Sequence, residues 1–108
     1  MYHLIVYCPL KAADRVRKAM ADAGAGRIGN YDSCSFSCRG TGRFRPNDEA
    51  RPAIGKTGHL EAVAEERIEA VVEKANLRAV LRAVVDAHPY EEPAIHVLKM
   101  EDYHTYLP

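Results

Sequence analysis

Three groups of residues have types and spacings that could do chemistry. Gly24, Gly26 and Gly29 in "AGAGRIGN" spell G-x-G-x-x-G, the spacing with which a turn and a helix N-terminus take up a dinucleotide pyrophosphate. Arg39, Arg43, Arg45, Arg51 and Lys56 crowd the stretch "RGTGRFRPNDEARPAIGK", where Gly40 and Gly42 let the backbone approach a ligand closely. That is the composition of an anion-binding loop. His88, Tyr90, Glu91 and Glu92 fall within "HPYEEP", so an imidazole and two carboxylates in one turn-like segment could converge on a divalent ion. The carboxylates could equally pair with arginines of the basic loop, with Pro89 and Pro93 fixing the turn and Tyr90 packing it down.

Other combinations carry less. Cys34 and Cys38 lie four residues apart on an alternating stretch, and four strand residues span roughly 13 Å, too far for two thiolates to share one ion. With Cys8 they read as core thiols. The five histidines show no H-x-x-x-H or H-E-x-x-H spacing, and the serines of 33–37 sit on a strand face rather than on a sharp turn. The expectation is a protein that is not an enzyme.

The elements that must position these groups follow from periodicity. "YHLIVYC" (2–8) is β-branched and aromatic with both faces apolar, as in a central strand. "KAADRVRKAMADAG" places Val16, Ala19, Met20 and Ala23 at helical spacing and ends on Gly24, where a C-terminal cap belongs. "NYDSCSFSC" (30–38) alternates, with Cys34, Phe36 and Cys38 on one face of a half-buried strand. The order is therefore helix, glycines, strand, the reverse of a dinucleotide fingerprint. Residues 40–58 read as one long irregular loop.

"HLEAVAEERIEAVVEK" is ambiguous by pattern. As a helix it stacks Glu61, Glu65, Glu69 and Glu73 four apart; as a strand it aligns Leu60, Ala62, Ala64, Ile68, Ala70 and Val72, interrupted by Glu66. "ANLRAVLRAVVDAH" is an amphipathic helix stopped by Pro89, and "PAIHVLKM" a strand. If 59–73 is a strand, two strand-helix-strand units make an α+β ferredoxin-like sandwich (βαββαβ), an antiparallel sheet with both helices on one face. The bare face, bearing His3, Ile5 and Tyr7, would then be covered by another subunit.

At 108 residues the chain has length for one domain, 1–108, and one core. No apolar run reaches the ~20 residues of a membrane span, and no basic leader precedes the first apolar stretch. Three cysteines, an odd count, suit a reducing cytosol, so the expected location is cytoplasmic. Zero net charge argues against non-specific binding to nucleic acid. The charge is uneven, however: residues 1–58 carry ten Lys/Arg against five Asp/Glu, and residues 59–108 the reverse.

"HPYEEPAIHV" resembles the His-Pro-Tyr-Glu motif of the CutA divalent-cation-tolerance proteins, at the same helix-to-strand junction. "GAGRIGNYDSCSF", "GTGRFRP", "ARPAIGKTG" and "HPYEEPA", in that order, resemble the YqfO-type module inserted in Nif-three-like dinuclear-metal-centre proteins, from about Tyr2 to Met100. The resemblance implies a CutA/PII-like fold, a strand over 59–73, and a homo-oligomer, a trimer in the CutA and PII relatives. It carries no metal ligand to any position, because the family's ligands lie in lobes flanking the insert. In PII-like proteins, long loops hold anionic ligands such as nucleotides between subunits.

The expectation is thus a freestanding, non-enzymatic sensor or binding module that holds a divalent metal or a small anionic ligand between subunits. Its ligand-binding candidates are Arg39, Gly40, Gly42, Arg43, Arg45, His88, Tyr90, Glu91 and Glu92, with His88, Glu91 and Glu92 as metal candidates. The alternatives are an accessory subunit acting in trans with a Nif-three-like dinuclear metal protein, and a catalytic site assembled at the subunit interface.

Overall fold

Alternation along the first strand decides which way the sheet faces. The computed structural model describes residues Met1–Pro108. β1 (Tyr2–Pro9) lies between β3 (Glu61–Val72) and β4 (Ile95–Lys99), and β2 (Phe36–Phe44) adds outside β3. All three pairings are antiparallel. α1 (Ala13–Ala23) links β1 to β2, and α2 (Lys74–Ala87) links β3 to β4. This is the expected ferredoxin-like sandwich, with 61–72 of the ambiguous stretch a strand. No helix is long and apolar enough to cross a membrane.

The register pairs Leu4 with Ala70 and Val6 with Ile68. With Cys8 and Val72 they face the helices, where Val16 and Met20 of α1 and Val80 and Val84 of α2 complete the core. Each pair of helix residues is four apart, so each helix turns one stripe inward. Full burial of each large side chain contributes about 1.5–3 kcal/mol before entropy is counted.

Two sequence expectations need correction. The second strand covers 36–44 rather than 30–38. Residues 28–35 are instead spent on a turn: Ile28 and Tyr31 exchange backbone hydrogen bonds, and the Cys34 N–H donates to the Gly26 carbonyl. Gly26, at φ 76°, is required there, since a Cβ would stand 2.3 Å from the Cys34 oxygen. Gly24, at φ 118°, caps α1 as expected. The glycine cluster is a helix cap and a tight turn.

The second correction follows from the first. Arg39, Gly40, Gly42 and Arg43 lie in β2, and the irregular segment is 45–60. β3 is twelve residues long and offers a continuous ladder from Glu69 to Glu61, which outweighs the poor strand propensity of two glycines. Phe36 and Cys38 do share a face, but it is the face away from the helices. Phe36 is therefore 66% exposed.

Glu66 faces the helix layer and is ion-paired with Arg17 of α1, which also donates to the Ser37 hydroxyl of β2 at 3.2 Å. One side chain thus ties α1 to β3 and to the edge strand β2. Arg17→Ala leaves the nearly buried Glu66 without its cation. It should cost about 2 kcal/mol in urea unfolding; a loss below about 0.5 kcal/mol would show that water replaces the guanidinium there.

Candidate functional site

β3 outruns β1. Residues 65–72 pair with β1, whereas 61–64 pair with β2 alone. On this two-stranded overhang the segment 45–60 folds back and meets the turn after α2. The Glu91 carboxylate accepts from the Arg51 N–H at 2.9 Å, and Glu61 accepts from the Lys56 N–H at 3.2 Å. The rings of Phe44 and Tyr90 lie 5.9 Å apart. Between these pieces is a cleft of about 450 Å³.

Its floor is the sheet face away from the helices, at Tyr7, Gly42, Phe44 and Glu65. Arg43, Arg45, Pro46 and Ile54 form one wall, and Tyr90, Glu91 and Glu92 the other. Glu65 is 8% exposed and accepts a hydrogen bond from the Tyr90 hydroxyl at 2.8 Å. Its carboxylate lies across Gly42, where a Cβ would stand 2.0 Å from Oε1. Gly42 has an ordinary strand conformation, so this glycine is there for the close approach and not for its dihedrals.

The cleft brings together five of the nine candidate positions, Gly42, Arg43, Tyr90, Glu91 and Glu92, and a sixth, Arg45, at the start of the segment. Arg39 and Gly40 lie outside it. Strand alternation puts Arg39, and likewise Arg43, on the helix side of β2, opposite Glu66 and Ala62; Arg43 borders the cleft at the end of that strand, next to Phe44 and Arg45. Arg39, Arg43, Arg45 and Arg51 have no carboxylate partner within ion-pair distance.

His88 is buried and structural. Its Nε2 donates to the Tyr7 carbonyl at 2.7 Å and its Nδ1 accepts from the Tyr90 N–H at 3.1 Å, bonds that assign the neutral tautomer. Neither nitrogen is left for an ion. The expected convergence of His88, Glu91 and Glu92 on a metal therefore does not fit: both His88 nitrogens are engaged, and no three His, Cys, Asp or Glu side chains form a ligand group. Cys8 and Cys38 lie on opposite faces of the sheet, so they cannot share one either.

No family model matches the chain. A GTP cyclohydrolase 1 type 2 homolog of Mycobacterium tuberculosis is 50% identical over 97 residues, covering 89% of this chain and 25% of the relative. Its counterpart in Bacillus subtilis is 46% identical over 98 residues, 91% of this chain and 26% of the relative. A Bacillus cereus protein related to NIF3 superposes with a TM-score of 0.82 at 44% identity, over 94% of this chain and 26% of that one. The periplasmic divalent cation tolerance protein CutA of Archaeoglobus fulgidus superposes at 0.67 with 19% identity, over 94% of this chain and 86% of that one.

The chain has a CutA-like fold. It spans about a quarter of the length of the curated relatives it matches.

Two residues of the module's cleft were hidden in the sequence. Glu65 reads there as one of a column of like charges, and Tyr7 as part of the bare sheet face that another subunit would cover. The available signal was Gly40 and Gly42 two apart on one strand face, which leaves space for a side chain leaning over from the next strand.

Burial, reinforced by the hydrogen bond and charge of Glu65, holds the Tyr90 phenol well above its ordinary range. Burial also pushes the Cys8 thiol up to about 11, with the nearby Glu66 adding to it. Both groups bind their protons more tightly folded than unfolded, so their contribution is complete below the ordinary values of 9.0 and 10.0 and is lost as pH rises. The thermal midpoint should fall between pH 9 and 11, and Tyr90→Phe should flatten the part above pH 10. Equal slopes for the two proteins would contradict the placement of Tyr90.

Proposed function

We propose that the module is a non-catalytic, cytoplasmic binding unit that assembles through its open sheet face and holds a small anionic ligand in the cleft at the end of that face. The observation that carries this reading is the cleft itself. It joins the arginine-rich segment and the "HPYEEP" turn, which lie more than thirty residues apart in the chain, and it is lined by arginines with no carboxylate partner. Its volume is within the ~300–1,000 Å³ of small-molecule sites. An anion is favoured over a divalent metal because His88 and Glu91 are already engaged.

Assembly is supported by the face on which the cleft opens. Phe36 and Leu98 are 66% and 52% exposed there, and Glu69 is placed between His3, at 3.1 Å, and Arg67, at 3.3 Å. The CutA resemblance points to a trimer. The second reading, an accessory unit acting with NIF3-like lobes, is favoured by the quarter-length match to the longer relatives.

Titration with inorganic tripolyphosphate tests the anion site. Arg43→Ala with Arg45→Ala should weaken binding at least about tenfold, while Arg39→Ala should not. Wild-type affinity in the double variant, or no binding by the wild type, would refute it. Native mass spectrometry tests the assembly: a closed oligomer is expected, dissociated by Leu98→Glu. A wild-type monomer at micromolar concentration would move the weight to a protein partner.

A further inference from the structure

The charges that line the cleft do not match a ligand that is an anion and nothing more. Glu65, Glu91 and Glu92 bring three carboxylates to it, against the guanidinium groups of Arg43 and Arg45. Arg43 stands only at its border, on the helix side of β2. An anion held by Arg45 therefore faces several carboxylates across the cleft, at separations that salt screens incompletely. A second group on the ligand, of opposite sign, would relieve this.

Glu65 is the carboxylate placed to receive such a group. It lies on the floor, and the Tyr90 hydroxyl donates to its Oε2 at 2.8 Å. Oε1 has no donor in the chain, yet no unpartnered side-chain oxygen of the protein is sealed from solvent, so this one is reached from the cleft that Glu65 lines. Gly42 keeps that oxygen clear, because any side chain there would meet it.

The surroundings say what kind of cation fits. Tyr7, Phe44 and Tyr90 line the same floor and wall, with the Phe44 and Tyr90 rings 5.9 Å apart and tilted by 57°. Ring faces attract an organic cation electrostatically. A metal ion needs several ligands at once, and the chain gathers no group of three. An alkylammonium needs one accessible carboxylate for its N–H donors and an apolar surface for its stem, which the rings and Ile54 provide.

We propose that Glu65 and the rings of Tyr7, Phe44 and Tyr90 form a subsite for an alkylammonium group, so that the ligand of the cleft carries a cation at one end and an anion at the other. The anionic end lies toward Arg45, and this part rests on the anion-binding reading above. The Glu65 carboxylate lies against Gly42, and Arg45 is three residues further on, roughly 10 Å along a strand. The ligand's two charges are therefore separated by a chain of several carbons, as in an ω-amino acid, and not carried on one carbon as in glycine.

The experiment is NMR titration of the protein with 6-aminohexanoate, hexanoate, hexylammonium and glycine. 6-Aminohexanoate should bind at least about tenfold more tightly than hexanoate, the increment of a hydrogen bond to a charged group, and more tightly than the other two. Glu65→Gln keeps an oxygen for the Tyr90 hydroxyl and should bring 6-aminohexanoate to the affinity of hexanoate, whose own binding should not weaken. Equal binding of 6-aminohexanoate and hexanoate by the wild type overturns the ammonium subsite, whether or not the variant folds, and leaves the anion reading standing. A preference that survives in Glu65→Gln overturns it too. Glycine binding as tightly as 6-aminohexanoate overturns the separation of charges. Hexylammonium bound as tightly as 6-aminohexanoate, with hexanoate unbound, supports the subsite and removes the anion reading; no binding of any of the four removes both.

Discussion

The pairing of β1 with β3 is the constraint on which the rest of the structure depends. Its register sends Leu4, Val6 and Cys8, with Ile68, Ala70 and Val72, into the helix layer. The same register sends Tyr7 and Glu65 to the other side. A slip of one residue would exchange the two sets, putting Glu65 in the core and Ile68 on the open face. Core and cleft are therefore specified together. Glu66, the one charged residue of β3 that does face the helices, is accommodated by Arg17 reaching down from α1.

Unequal strand lengths then create the site. Because β3 extends four residues past its pairing with β1, its end has β2 as sole neighbour, and a two-stranded ribbon is marginal alone in water. Support comes from the segment 45–60 and from the turn after α2, through Glu61, Glu91 and the Phe44–Tyr90 contact. These props do not fill the angle between them, and the cleft is what they leave. His88 serves the same purpose from below. By bonding both the Tyr7 carbonyl and the Tyr90 N–H, it sets the turn against β1.

Much of the layer order was legible in the sequence, and so were the two segments that meet in the cleft. The helices declared themselves because Val16/Met20 and Val80/Val84 repeat at four. The second strand was misplaced because its signal is split. The alternation of Cys34, Phe36 and Cys38 begins in a turn, and the paired part is rich in glycine and arginine, which local propensity reads as loop. Only β3, more than twenty residues further on, makes it a strand. His88 was misjudged for a related reason. Its partners are backbone groups of Tyr7 and Tyr90, and no spacing of residue types announces a backbone acceptor.

The position of β1 in the sheet also bears on how the chain comes to be folded. It is the first element in sequence, yet both of its hydrogen-bonded neighbours, β3 and β4, are made more than fifty residues later. A strand as apolar as "YHLIVYC" must therefore emerge from the ribosome and wait, its backbone unpaired, until most of the chain has followed. Pairings this far apart close large loops, which makes folding slow for a chain of this size. The central strand that gives the finished sheet its register is thus also the segment with the longest exposure to misassociation.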